Sequence, residues 1–366
     1  MNNYNPTLKL GILLFLLFQF SFAMAQFSVK ADRPDATYQA GEQMNFIFSG
    51  AGGGTATYRI QYDRGHAPEI TSGTVQAFGG QGSIPFTLDE PGFVFCYVTL
   101  NGQTSVAGAA FSPFEINEYE ADPDDFDEFW DGWNAQLAAV PMNPVVTPLF
   151  PDPNAQTKDF RINLGQIDGR RVYGYLSIPP GNGPFPAIIT HSSFGGNANF
   201  CIPRPEIALE VGAISLSIWM HNTEPDIEDF NAYKPEVWND KDRIYHRYGV
   251  LGLVRAMDFI ESLPEYNGKD LGLFGVSEGG GMSMLAAAVD DRPTMVGASI
   301  FAMSEHTGFH YDRASGFPFF LLRGSTGWPP QVDPQAVEDT KYYDAMRAAK
   351  RIKVLFMERP VIRMKR

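Results

Sequence analysis

Cysteine is nearly absent from this chain: Cys96 and Cys201 are the only two in 366 residues. Two thiols cannot staple a small secreted fold, and these two fall in segments read below as different domains. Histidine is scarce too, six in all, and no Cys–His set stands at metal-ligand spacing. No metal and no cofactor is implied. Basic charge is the third shortage. Lys and Arg number 28 against 42 Asp and Glu, a formal charge of −14, and no basic stripe offsets it. That balance argues against a nucleic-acid partner. Long apolar runs are the fourth. Leu10–Phe18 is unbroken but too short to span a bilayer comfortably. With Lys9 before it and Ala23-Met24-Ala25 after it, residues 1–25 read as a signal peptide cleaved before Gln26. Position 26 is not cysteine, so no bacterial lipid anchor is suggested. The expectation is a secreted or periplasmic protein with no membrane partner after cleavage.

What is present suffices for a real core. Hydrophobic residues make up 44% of the chain, and cleavage would leave about 340 residues, room for two domains. Residues 26–116 carry seven short alternating runs: 27–31, 43–49, 56–62, 74–78, 82–86, 93–100 and 106–111. Glycines 50 and 52–54 and the pair Asn101-Gly102 punctuate them, the second as a hairpin turn. The spacing predicts an immunoglobulin-like sandwich. His66 sits in a turn, and no residues converge as a catalytic set. A spacer, an oligomer contact and a weak carbohydrate-binding face all remain open for this module.

Residues 117–366 alternate strands with helices. The acidic run 115–131 leads into a helix entered through Pro123, with carboxylates at its positive end. Phe126, Phe129, Trp130 and Trp133 share one face of it, and docking on its own domain is the favoured account of that stripe. Segments 158–167 and 171–178 flank Asp168-Gly169 as an antiparallel hairpin. Continuous apolar strands follow at 185–190, 213–219, 271–276, 296–301 and 354–357. Helices are predicted around 206–211, over 242–263 with Tyr248, Leu251, Val254, Ala256, Phe259 and Ile260 as its apolar face, over 282–289, and over 337–350. A hairpin followed by a parallel sheet between helices predicts an α/β-hydrolase, a three-layer αβα fold.

The chemistry gathers at Gly275-Val276-Ser277-Glu278-Gly279. Apolar strand, G-x-S-x-G turn and Ala-rich helix are the context of a nucleophile elbow, with Ser277 as the nucleophile. So sharp a turn leaves no room for side chains at Gly275 and Gly279. An oxyanion needs two N–H donors. One is expected from Glu278. The other is expected from the loop 191–196, with Phe194 as the candidate. A serine also needs a histidine and an acid, which in this fold follow it along the chain. No histidine follows His310 and no aspartate follows Asp344. Glu358 sits too early at a strand end; His306 and His310 lie after the wrong strand. His191, His221 and His246 precede the serine, and His246 reads as a structural residue in or beside its helix. The triad acid and base are therefore not found. Residues 351–366 hold six basic residues and one acid, which is either a solvated end or a sign that the chain stops short of its last strand and helix.

The domain from about 120 onward resembles the acetyl xylan esterase / cephalosporin-C deacetylase family (carbohydrate esterase family 7). Pro123-x-x-Phe126-x-x-Phe129-Trp130, Val254-Arg255-Ala256, Gly275-Val276-Ser277-Glu278-Gly279-Gly280 and Tyr342-Tyr343-Asp344-Ala345 carry the likeness. The chain differs where the family usually has Gln at position 278, Gly at Ser193 and Tyr at Phe194. It also differs where Met220-His221-Asn222 replaces the family's Arg-Gly-Gln. The resemblance implies a secreted serine carboxylesterase that deacetylates xylan or a related small ester, with oligomerisation left open. Lacking acid and base, the chain is expected to have little activity. The alternatives are a prolyl-oligopeptidase-like peptidase and a non-catalytic carbohydrate-binding protein.

Overall fold

A computed structural model describes residues 27–50, 52–63, 69–116, 120–149, 156–192, 201–225, 237–311, 315–319, 321 and 331–359. The signal segment and His66 fall outside this set. The chain divides into two compact units, Met1–Glu118 and Tyr119–Arg366, against the expected division at 116/117.

The first unit has eight strands: β1 (Ser28–Ala31), β2 (Thr37–Tyr38), β3 (Met44–Ser49), β4 (Gly54–Tyr62), β5 (Glu69–Ala77), β6 (Gln81–Phe86), β7 (Gly92–Leu100) and β8 (Gln103–Phe111). Seven were expected. The addition, β2, is too short to show alternation. Two sheets result, β1-β3-β6 and β2-β8-β7-β4-β5, antiparallel except where β2 meets β8. Along β7 every second residue, Gly92, Val94, Cys96, Val98 and Leu100, is buried, the period a pleated strand imposes. Inward residues of both sheets make one core, and Phe86 meets Phe111 edge-on at 5.9 Å. Asn101 and Gly102 join β7 to β8 at φ 50° and 77°, the left-handed pair that a tight hairpin requires.

The second unit is built on an eight-stranded sheet. Its strands are β9 (Val145–Pro148), β10 (Lys158–Gly165), β11 (Arg171–Ile178), β12 (Phe185–His191), β13 (Ile214–Trp219), β14 (Tyr266–Val276), β15 (Met295–Ser299) and β16 (Leu355–Arg359). Their order is β16-β15-β14-β12-β13-β11-β10-β9. The five strands from β13 to β16 run parallel, and the hairpin side is antiparallel, as expected. Strand β9 was not expected. All four of its residues are exposed, so no burial alternation betrays it.

Helices α1 (Phe126–Ala139), α2 (Arg247–Glu261) and α3 (Glu278–Val289) flank the sheet's central strands. The aromatic stripe of α1 is buried within this unit: Trp130 Nε1 donates to the Tyr342 carbonyl at 3.1 Å. Helix α2 starts five residues later than expected and is buried on nearly all sides, because it touches the sheet, α1 and α3 together. The helix expected over 337–350 is two, α4 (Pro334–Thr340) and α5 (Ala345–Ala349). Asp344 breaks it. At φ −95° and ψ 117° its carboxylate accepts from the N–H of Met346 (2.9 Å), Glu305 (3.0 Å) and His306 (2.8 Å). Such a cap competes with helix continuation.

At the start of the basic end, Lys350 and Arg351 are held by Asp122, while Lys353 has an exposed partner. Asp122 accepts from Arg347, Lys350 and Arg351, each at 2.9 Å, and Lys353 pairs with Asp291 at 3.0 Å. Burial pushes the Asp122 carboxyl up, but the three cations outweigh it and hold it at about 2. The acidic run ahead of α1 thus has a structural use. Both cysteines are free and buried, and burial pushes each thiol up to about 12.

Candidate active site

Strand β14 ends at Val276, α3 begins at Glu278, and Ser277 alone makes the turn at φ 56°, ψ −124°. A serine in that conformation is strained by roughly 1–3 kcal/mol and persists only where its surroundings hold it. Here they do. Ser277 N–H donates to the Ser299 carbonyl at 3.0 Å, and its own carbonyl accepts from Ala302 at 2.9 Å and Gly280 at 3.0 Å. The two glycines of the motif are required by space. A Cβ on Gly275 would lie 2.1 Å from the Gly279 carbonyl carbon, and one on Gly279 would lie 2.4 Å from the His191 oxygen.

The sheet order explains why the serine stands there. Strand β12 lies between β13 and β14, so the chain moves outward to β13 and then crosses back to β14. A crevice opens at the carboxyl ends of strands at such a switch point. His191, the last residue of β12, is in register with Gly275 on β14. A cavity of about 550 Å³ opens beside them, lined by Thr190, His191, Ser192 and Ser277, and by Arg204 and Glu206. The structure therefore brings Ser277, Gly275, Gly279 and Glu278 together. Phe194 lies outside the described residues. The Glu278 N–H is at the first turn of α3, among the donors a helix leaves unmatched.

Residues 113–213 match the family described as Acetyl xylan esterase (AXE1). Acetyl esterase Axe7A of Xylanibacter ruminicola is 28% identical over 302 residues, covering 78% of this chain and 67% of that protein. The chain is thus similar to acetyl xylan esterases in sequence. Two solved acetyl xylan esterases share its fold. The Paenibacillus enzyme has a TM-score of 0.56 at 22% identity, over 66% of this chain and 80% of that one. The Thermoanaerobacterium enzyme has a TM-score of 0.54 at 17% identity, over 65% and 78%. They show the α/β-hydrolase-like fold of the second unit. Acetyl xylan esterases are carboxylic ester hydrolases, which favours the esterase reading over the peptidase one. The matched segment 113–213 stops before β14, so the elbow stands on its own geometry.

Four histidines of the second unit, His191, His221, His246 and His306, are buried. His191 ends a strand instead of opening a loop. Its Nδ1 lies 2.8 Å from the Ser192 carbonyl, so that nitrogen carries the proton. Burial pushes its pKa down to about 4, and the ring is neutral at physiological pH. His306 is buried against the Tyr343 carbonyl, and burial lowers its pKa as well. The His310 side chain lies outside the described residues. His221 bonds to the Tyr245 hydroxyl at 3.0 Å. Among the described residues no histidine is hydrogen-bonded to Ser277 Oγ.

One pair went unforeseen. His246 Nε2 is hydrogen-bonded to Glu278 Oε1, and both side chains are fully buried. The signal was available: a carboxylate in a Gly- and Ala-rich helix start that packs on a sheet needs a buried partner.

The depressed pKa of His191 makes a pH prediction. A histidine kept neutral by folding binds fewer protons than in the unfolded chain once the pH falls below its ordinary value of 6.5. Its contribution is intact above that value and is lost as pH drops towards 4, by about 3 kcal/mol in all. Urea unfolding at pH 7 and pH 5 checks this. His191→Asn is expected to flatten the pH dependence, and an unchanged slope would remove His191 from the explanation.

Proposed function

We propose that Ser277 attacks the carbonyl of a short acyl ester, an acetyl group on xylan or a related plant-wall sugar, breaks the ester bond so that the sugar leaves as its free hydroxyl, and forms an acyl-enzyme that water hydrolyses to acetate and free Ser277. The observation that carries this is the strained Ser277 turn, held at the head of α3 on the wall of a cavity of about 550 Å³. The Glu278 and Phe194 N–H groups would receive the oxyanion, each donor worth roughly 10²–10³ in rate. Similarity to acetyl xylan esterases supports acetyl esters as substrates. The signal peptide, export and an immunoglobulin-like arrangement of the first unit belong to the same reading; the two antiparallel sheets with one core support the last.

Among the described residues no histidine is hydrogen-bonded to Ser277 Oγ, so this polypeptide is proposed to turn over slowly. An oxyanion hole and binding without triad partners leave about 10³–10⁴ over water. Incubation with p-nitrophenyl acetate, followed by intact mass, is the test. A slow burst and an acetyl adduct are expected on the parent and neither on Ser277→Ala. Equal behaviour of the two would overturn the role of Ser277. Turnover at an ordinary enzymatic rate, roughly 1–10³ s⁻¹, would overturn the slow-activity reading alone.

A further inference from the structure

The outward face of the five-stranded sheet in the first unit does not look like ordinary solvated surface. Strand β7 sends Val94, Cys96 and Val98 into the core and turns Phe93, Phe95 and Tyr97 the other way. Phe93 is 44% exposed and Phe95 37%. Alternate residues of a strand stand about 6.6–6.8 Å apart on one face, so these rings form a row. The row runs down the third strand of five, the middle of the sheet.

The neighbouring strands shape the ground on either side. Opposite Phe93 and Phe95, β8 places Ala110 and Gly108. A Cβ on Gly108 would lie 3.3 Å from the Phe95 ring, so the ring rests against the bare main chain of Gly108. On the other side, β4 sets Arg59 opposite Tyr97 and Gln61 opposite Phe95. The Arg59 guanidinium carbon is 4.2 Å from the Tyr97 ring centroid, and its NH1 donates to Gln61 Oε1 at 2.9 Å. Beyond them β5 adds the hydroxyls of Ser72 and Thr74. Among its described residues this face carries charge only on Arg59 and, at the strand end beside Phe93, on Asp63 and Glu69, in a chain with a formal charge of −14.

We propose that this face binds a neutral polysaccharide chain laid along β7. A pyranose ring presents an apolar C–H face and a rim of hydroxyls. The first packs on Phe93, Phe95 and Tyr97; the second exchanges hydrogen bonds with Arg59 and the hydroxyls of β5. A face whose described charges are Arg59 and two carboxylates at one end matches an uncharged polymer laid along the rings, since binding there desolvates few ionic groups. It matches poorly an anionic membrane surface, which needs a cationic rim. A row of rings beside hydroxyl and amide groups also differs from a protein-binding patch with an apolar centre. Tethered polymer would raise the local concentration of its esters for the second unit without any new contact there.

The site is independent of Ser277 and is tested apart from it. Native electrophoresis of the full-length protein through gels with and without soluble neutral arabinoxylan reads the binding. The parent and Ser277→Ala are expected to be retarded equally, and polygalacturonate to retard neither. Phe95→Ala with Tyr97→Ala should bind at least about tenfold more weakly. Arg59→Met, which leaves the rings, should weaken binding while the urea midpoint stays close to the parent value. A parent that runs unretarded, or ring variants retarded like the parent, would overturn the proposal. Concentration-dependent dimers that the ring variants abolish, with no retardation by arabinoxylan, would replace the glycan with a second copy. Retardation of a parent whose Ser277 is never acylated counts against the esterase reading only.

Discussion

Alanine at Gly275 is expected to cost the second unit about 3–5 kcal/mol, the far end of what single substitutions do. The reason is where the added methyl would go. It would stand 2.1 Å from the carbonyl carbon and oxygen of Gly279 and 2.5 Å from the nitrogen of Gly280. All three are main-chain atoms of the first turn of α3, so no rotamer change relieves the overlap. Nor can β14 retreat. Gly275 is in register with His191 on one side and Ala298 on the other, and both neighbours are central parallel strands. The strand and helix would have to separate, and Ser277 would lose the geometry that holds φ at 56°. Gly279→Ala meets the His191 oxygen at 2.4 Å and should behave alike. Gly272→Ala on the same strand is the control. Its nearest neighbour is the flexible end of Met295 at 3.3 Å, and a cost below about 1 kcal/mol is expected. Urea midpoints of the three variants decide the matter. A Gly275→Ala protein that unfolds at the parent's midpoint would contradict the steric account of the motif.

That steric account is also why the elbow was legible in the sequence. Gly275, Ser277 and Gly279 each answer a constraint of backbone geometry, and the apolar strand before them and small-residue helix after them follow from one-dimensional pattern. The same holds for the parallel strands and for the turns at Asn101-Gly102 and Asp168-Gly169, where positive φ selects the residue types. What pattern could not show depends on partners distant in sequence. Strand β9 exists only because β10 offers it an edge. Asp344 interrupts an apolar periodicity because the N–H groups of Glu305 and His306, some 38 residues earlier, converge on its carboxylate. Helix α2 looked one-sided because period alone cannot reveal that α1 and α3 cover its other faces. The partner of Arg351 was hidden in the sequence, where the basic end fitted either a solvated tail or a shortened chain, because Asp122 is far away in sequence.

The hidden partner with the greatest consequence is His246. Glu278→Ala is expected to destabilise the second unit by about 3–5 kcal/mol, the usual cost of removing one member of a buried pair. Both side chains are fully buried, so water cannot replace the lost carboxylate at His246 Nε2. Part of the cost is the cavity left behind. Glu278→Gln keeps the volume and an oxygen that can accept from His246, and should cost only about 1–2 kcal/mol. A double-mutant cycle separates the pair from the cavity. If the hydrogen bond carries the effect, His246→Ala and Glu278→Ala together should cost less than the sum of the single changes by about 1–3 kcal/mol. Additive costs would dissolve the pairing. The cycle also reports on the serine. The Glu278 N–H is main chain and survives every substitution, while its position depends on where α3 begins. If the buried pair anchors that helix start, acylation of Ser277 should fall with Glu278→Ala and recover with Glu278→Gln. Loss of stability without loss of acylation would confine His246 and Glu278 to the core.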